Sequence, residues 1–437
     1  MKKTFRFLSM AALLVVGAIM TGCSSDDNID NPQQPANNDN VVTLTATVGF
    51  EANAGTRAVN PTSGVKTFEG TNQIAVIYKN KSNETVKAVS TVFTPTGDNT
   101  TATFTVSLTN PASDGAIRYI YPATMAKDVA TDATITDDAA TIDYSGLFSS
   151  QDGTLATLGT NYDLAVFDGS LSGTDLPASA TLTNPLAICK FTFKDTGSSD
   201  IPGITRLTVS NGTNAYSVNP TSALSEIYVA MKPVASGNIA FTAATASKTY
   251  FRTVTGKSLV ASKLYTNITV GSMVELAVGK VIGYDGNIYA SKTAAGSNAA
   301  AVIVYLGSDT KDATFKNGLA IALADESGTM NWSTAKNTCE GKTAITGAKW
   351  CLPSQDQWKQ MFKANGGNEE EYTGLNNALA AAGGNDSKLQ EDSYYYWSSS
   401  ESSPGVNAYI VVLSYDYAYW GNDGEGSVHP VRACLAF

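Results

Sequence analysis

The sequence predicts a mainly β protein: two Greek-key β-sandwich domains followed by an α+β domain. Three observations predict it. From residue 42 to 271, short runs rich in Thr, Val, Tyr and Ile are separated by Gly, Asn, Asp and Pro, with no helical period of ten or more residues. At about 100 residues per sandwich, that span holds two, with a break at Thr183-Asn184-Pro185. After residue 277 helical spacings appear among the strands. With 437 residues and 43% apolar side chains, the chain exceeds one ordinary domain and can bury real cores.

Residues 1–22 read as a secretory signal. Lys2, Lys3 and Arg6 precede an apolar run from Phe7 to Met20, too short for the roughly 20 residues of a membrane-spanning helix. Thr21-Gly22-Cys23 resembles the lipobox of bacterial lipoproteins. That resemblance implies a lipid anchor on Cys23, with acyl chains such as palmitate, and an outer-membrane destination. Ser24-Ser25-Asp26-Asp27 is similar to the acidic tag that sends some Bacteroidetes lipoproteins to the cell surface. Residues 23–41 are Asp, Asn, Pro and Gln with little to bury, which predicts a flexible tether. No later apolar stretch is long enough to cross a membrane, so lipid is the expected anchor.

The N-terminal sandwich is placed at 42–184. It opens on TLTATVGFE (43–51), where Leu44, Ala46, Val48 and Phe50 share one face of a half-buried strand. Gly55-Thr56-Arg57-Ala58 follows, a small segment open to proteolysis. Further strands are read at 73–78, 101–108 and 118–121. The second sandwich, 185–276, carries strands at 186–193, 204–209, 226–231 and 265–270.

The order of lipobox, tether, alternating strand and Thr56-Arg57-Ala58 is followed by Gly70-Thr71-Asn72-Gln73-Ile74-Ala75-Val76 and Leu186-Ala187-Ile188-Cys189-Lys190-Phe191-Thr192-Phe193. Together these resemble the fimbrillin-like subunits of type V pili, whose sandwiches are transthyretin-like. The resemblance implies cleavage between Arg57 and Ala58, loss of the first strand, and filling of the vacated groove by a strand of another pilus subunit. The lipidated precursor would reach the outer membrane, and the processed form would join the fimbrium.

The third domain is placed at 277–437. A buried strand is read at 318–324. Trp332, Ala335 and Cys339 form the stripe of one helix. Ser354 and Gln357 suit a capping box on the next, with Trp358, Met361 and Phe362 as its apolar stripe, and 375–382 is a third helical piece. Trp350-Cys351-Leu352-Pro353-Ser354, Tyr396-Trp397-Ser398-Ser399-Ser400 and Val431-Arg432-Ala433-Cys434 occur in the order of the fib-succ major paralogous domain, which this region resembles. The implied fold is similar to that of C-type lectins, in which the first helix is tied to the last strand. This implies a Cys339–Cys434 disulfide, with Cys339–Cys351 as the competing pair. Cys351 and Cys189 are otherwise expected to be buried free thiols.

The chemistry is bounded by composition. The net charge of −10 disfavours nucleic acid. The single histidine, His429, excludes a histidine-based metal cluster and is read as a solvent-facing turn residue. No catalytic residues and no cofactor are expected. Asp416, Tyr417, Tyr419, Trp420, Asn422, Asp423 and Glu425 form the candidate ligand-binding stretch, since aromatic faces stack on sugars. Trp420-Gly421-Asn422-Asp423 is similar to the Trp-Asn-Asp of calcium-dependent lectins, but a glycine interrupts it and the companion Glu-Pro-Asn is absent. A loop presenting aromatic residues to a host or bacterial surface ligand is therefore expected ahead of a calcium site. The resulting expectation is a pilus subunit at or near the tip that acts in cell adhesion. The alternative is a non-polymerising surface lipoprotein that binds glycans.

Overall fold

Alternation in the first strand organises the N-terminal layers. In a computed structural model, which describes residues 40–50, 67–390 and 394–437, Val41–Phe50 (β1) buries Leu44, Ala46 and Val48 and turns its threonines outward. It is followed by Ala75–Lys79 (β2), Thr85–Val89 (β3), Thr94–Thr96 (β4), Thr101–Thr109 (β5) and Ala116–Tyr121 (β6). Three short helices come next, Asp138–Thr141 (α1), Ser145–Ser149 (α2) and Leu155–Asn161 (α3), and then Ala165–Ser170 (β7) and Ser179–Leu182 (β8). The strands form two four-stranded sheets, in the orders β4-β5-β1-β8 and β3-β2-β6-β7. Val48, Val76, Phe93, Phe104 and Tyr119 fill the layer between them. The second sheet is apolar on both faces, because Ala75, Ile77 and Ile120 pack against Ile142, Leu147 and Leu158. This explains the unbroken apolar run of β2. Cys23, Arg57 and Ala58 lie outside the described residues.

The next seven strands are Ala187–Asp195 (β9), Arg206–Ser210 (β10), Ala215–Val218 (β11), Ile227–Met231 (β12), Val234–Ala244 (β13), Thr249–Leu259 (β14) and Lys263–Glu275 (β15). They make one sheet, ordered β11-β10-β13-β14-β15-β9-β12. The β14–β15 ladder is confined to Tyr250↔Glu275 and Phe251↔Val274, so the sheet turns a corner there. Its halves then face each other. Phe241 of β13 meets Phe191 and Phe193 of β9, with ring centroids 5.0 and 6.0 Å away. This part is a single sheet folded over itself rather than two separate sheets. Cys189 is buried in its core, and burial pushes the thiol up to about 12.

The remaining elements are Val281–Gly283 (β16), Ile288–Tyr289 (β17), Lys292–Ala295 (α4), Ala299–Leu306 (β18), Gly318–Ala322 (β19), Trp332–Glu340 (α5) and Lys349–Cys351 (β20). Then come Gln355–Ala364 (α6), Thr373–Gly383 (α7), Tyr394–Ser403 (β21), Asn407–Ser414 (β22), Tyr417–Gly424 (β23) and Cys434–Ala436 (β24). A six-stranded sheet, β17-β16-β18-β19-β24-β20, is covered on both faces. The α5 stripe of Trp332, Ala335 and Cys339 packs with Ala301, Ala320 and Leu435. On the opposite face Trp358, Phe362, Leu375 and Leu379 of α6 and α7 pack with Val302, Ile321 and Cys434. Asn331 caps α5 by accepting from the Thr334 N–H at 2.9 Å. The Ser354/Gln357 capping box opens α6 as the spacing predicts. Asn317 joins this part to the folded sheet, accepting from Arg206 Nε at 2.8 Å and donating to Thr208 Oγ1 at 2.9 Å.

The cysteines correct an expectation. Cys339 and Cys434 are both free, and the strand alternation of β24 turns Cys434 away from α5. Cys434 instead lies opposite Cys351 in the β20–β24 register. The Cys339–Cys434 disulfide implied by the family resemblance is not formed, because the two side chains belong to opposite faces of one sheet.

Candidate strand-exchange slot and ligand face

Two places are candidates for a recognition site. The first is the slot that β1 fills. β1 pairs antiparallel with β5 from Val41↔Thr109 to Gly49↔Thr101, and parallel with β8 from Thr47↔Ser179 to Phe50↔Leu182. It is thus an interior strand, and β8 is joined to this sheet through it. Leu44, Ala46 and Val48 point into the core at 9, 3 and 0% exposure. On the outer face Thr43 lies 3.1 Å from the Ser107 hydroxyl, and Thr45 lies 3.1 Å from the Thr105 hydroxyl. Phe50 closes the end of the slot, stacked on Phe68 with centroids 4.2 Å apart. A strand in this position satisfies backbone donors and acceptors on both neighbours. Without it the edges of β5 and β8 would face each other across an empty apolar row.

The second place is one face of the sheet β21-β22-β23. The stretch read as a ligand-presenting loop is in fact the strand β23, and its alternation divides the candidate residues. Tyr395, Val412 and Tyr419 fall in one cross-strand row, with Tyr417 two residues further along the same face. Tyr395, Tyr417 and Tyr419 are exposed at 41, 49 and 55%. Trp420 lies on the other face, packed toward α6 with its ring centroid 6.5 Å from Phe362 and the Lys359 ammonium 5.5 Å from it. Trp420 therefore supports the core and is not on the tyrosine face. Asn422 is exposed on that same side of the strand. Glu425 follows the end of β23, where its backbone accepts from Trp332 N–H at 3.1 Å and donates to Val406 at 3.0 Å.

Tyr415 and Asp416 form the two-residue turn between β22 and β23, with φ of 50° and 48°. Both are left-handed, as a type I′ hairpin requires, although glycine or asparagine is the usual choice there. The turn holds Tyr415 in solvent at 87% exposure, beside the tyrosine face.

Asp423 is engaged as well. Its carboxylate lies 3.0 Å from His429 Nε2, and it accepts from the Gly424 N–H at 2.7 Å. These contacts, the Gly424 bond first, hold the Asp423 carboxyl below its usual range. His429 is not a solvent-facing turn residue. Its ring is edge-on to Trp397 with centroids 4.6 Å apart and 5.8 Å from Tyr395, and its side chain is only 14% exposed. A backbone bridge to Met330 fixes it there. Tyr395 and His429 were not legible as site residues, because each joins the face through a partner distant in sequence; Tyr415 joins it locally, through the turn it forms with Asp416. Among the described residues, no group of three or more His, Cys, Asp or Glu side chains is placed to hold a metal ion. Among them, too, no helix is long and apolar enough to cross a membrane.

No family model matches the chain, and no curated protein matches it in sequence. Solved structures overlap its fold in part. A fimbrial assembly protein from Parabacteroides distasonis covers 54% of this chain over 93% of its own length, at 9% identity and a TM-score of 0.32. A candidate cell adhesion protein from Bacteroides ovatus covers 54% over 96% of its length, at 10% identity and a TM-score of 0.33. The minor pilin of Streptococcus agalactiae covers 54% over 97% of its length, at 12% identity and a TM-score of 0.22. Likeness at this level leaves function to be argued from the chain's own residues.

Proposed function

We propose that this chain is a non-catalytic pilus subunit of the cell surface. It accepts a strand from a neighbouring subunit in the β1 slot and binds its ligand through the tyrosine face. The observation that carries the reading is the place of β1. It is a central strand held by its ladders to β5 and β8, and Arg57 follows its last residue by only a few positions. Cleavage after Arg57 would cut the covalent link to the rest of the fold and leave β1 held by noncovalent contacts alone. In this reading Cys23 carries the precursor to the outer membrane and leaves with β1. The processed form, starting at Ala58, is then held by strand pairing. A place at or near the fibre tip is supported by β24. That strand lies between β19 and β20 and is not free to be donated.

Limited digestion with an Arg-specific protease tests the reading. The expected product begins at Ala58 and assembles with a donor subunit, whereas Arg57→Ala stays uncut and unassembled. A native chain that resists cleavage at Arg57, or assembles equally well with Arg57→Ala, would sink the proposal.

The second reading, a non-polymerising glycan-binding lipoprotein, is favoured by the row of Tyr395 and Tyr419. Under either reading the face is the contact surface. Tyr419→Ala is expected to weaken binding to a glycan-array or matrix-protein hit about tenfold, the equivalent of roughly 1.4 kcal/mol. Trp420→Phe, on the other face, is expected to leave binding unchanged. Equal losses from both variants would place the ligand elsewhere.

A further inference from the structure

Cys351 and Cys434 are directly opposed on the antiparallel strands β20 and β24, and their sulfur atoms are 3.5 Å apart. Opposed residues of such a pair hold their Cα atoms at roughly 4.5–5.5 Å. A disulfide accepts Cα separations of about 4.4–6.8 Å. The backbone is therefore already where a cross-strand bridge needs it, and small side-chain rotations bring the sulfurs into bonding distance. Cys339 has no such register with either residue, since it projects from α5 onto the opposite face of the sheet. Cys189 belongs to a different core.

We infer that Cys351 and Cys434 are a disulfide-forming site that fastens β24 to β20 when the chain meets an oxidising compartment. The inference is independent of strand exchange in the β1 slot. The chemistry is thiol–disulfide exchange with a small disulfide oxidant such as glutathione disulfide. The Cys351 thiolate attacks one glutathione sulfur and releases one glutathione thiolate. The Cys434 thiolate then attacks the Cys351 sulfur and releases the second. The two protein thiols lose two protons and two electrons, and the oxidant becomes two glutathione thiols. The order follows access, since Cys351 is half-buried and Cys434 fully buried. It also follows acidity, because the contact with Cys434 lowers the Cys351 thiol below its ordinary range. The bridge would join positions 83 residues apart. It would thus enclose α6, α7 and β21–β23 and lock β24 into the interior of its sheet.

Trypsin places Cys339, Cys351 and Cys434 on separate peptides, residues 337–342, 350–359 and 433–437. The full-length chain is equilibrated with glutathione disulfide, alkylated, and digested without reduction. Peptide 350–359 is expected to be linked to 433–437, with 337–342 alkylated. Cys339→Ser should keep the link and Cys351→Ser should abolish it. Reduction should lower the Tm of the wild-type chain by roughly 5–15 °C. Should Cys351→Ser fail to fold, the wild-type map still decides the question. Alkylation of both Cys351 and Cys434 under oxidising conditions, or a link from Cys339 to either, would overturn the inference.

Discussion

A chain stripped of β1 is expected to lose the cooperative unfolding of its N-terminal sheets and to regain it when a peptide of sequence Val41–Phe50 is supplied. The reason lies in what β1 contributes. It makes nine register pairs with β5 and four with β8. It also buries Leu44 and Val48, each worth about 1.5–3 kcal/mol. Every backbone hydrogen bond of the ladders adds a net of roughly 0.5–1.5 kcal/mol. Together these rival the roughly 5–15 kcal/mol that holds an ordinary domain folded. The vacated groove also exposes the unpaired edges of β5 and β8, so the stripped chain should aggregate or capture a foreign strand. Calorimetry of the chain beginning at Ala58, with and without the peptide, measures the effect. A peptide carrying Val48→Asp places a charge at a position that is 0% exposed and should not rescue. An unchanged melting transition without peptide would show that β1 is dispensable and that no acceptor groove opens.

The second large effect is expected at Arg432. This residue is 1% exposed and pairs with Asp325, Nε to Oδ1 at 2.5 Å. Its remaining donors reach the backbone carbonyls of Ala322 at 2.9 Å, Ser387 at 3.0 Å and Lys388 at 2.9 Å. Asp325 in turn accepts from the Tyr396 hydroxyl at 3.0 Å and Gln390 Nε2 at 2.9 Å. Burial pushes the Tyr396 phenol well above its ordinary range, so it remains a donor across the accessible pH range. Arg432→Met fills much the same volume but leaves a carboxylate and three carbonyls without their partner. The expected loss is about 3–5 kcal/mol, read as a fall in Tm of roughly 6–20 °C. Arg432→Lys should recover little, because an ammonium cannot span the same fork of acceptors. Adding Asp325→Leu to Arg432→Met should recover part of the loss, since no unpaired charge then remains. A loss below about 1 kcal/mol for Arg432→Met would mean that water replaces the guanidinium and that the cluster is not structural.

Much of the local structure was legible in the residues. The alternation of Leu44, Ala46 and Val48 marked β1, and the Trp332, Ala335 and Cys339 spacing marked α5. Ser354 and Gln357 marked the start of α6 to the residue. Each is a pattern of period two or 3.6, or a cap, written within a few positions of chain. The three short helices between residues 138 and 161 carry too few turns to show such a period, so no local pattern announces them.

By itself, the sequence determined the mainly β character, the face that β1 would bury, and the helices of the third region. Local sterics and hydrophobic periodicity suffice for those. Only the tertiary structure decided which strands flank β1, which sulfur Cys434 meets, and that Tyr419 and Trp420 point to opposite sides of β23. It alone drew His429 from a turn into contact with Trp397 and Asp423. The physical reason is that periodicity tells which residues share a face. What covers that face depends on contacts between segments far apart in the chain, such as Thr47 with Ser179 or Cys351 with Cys434.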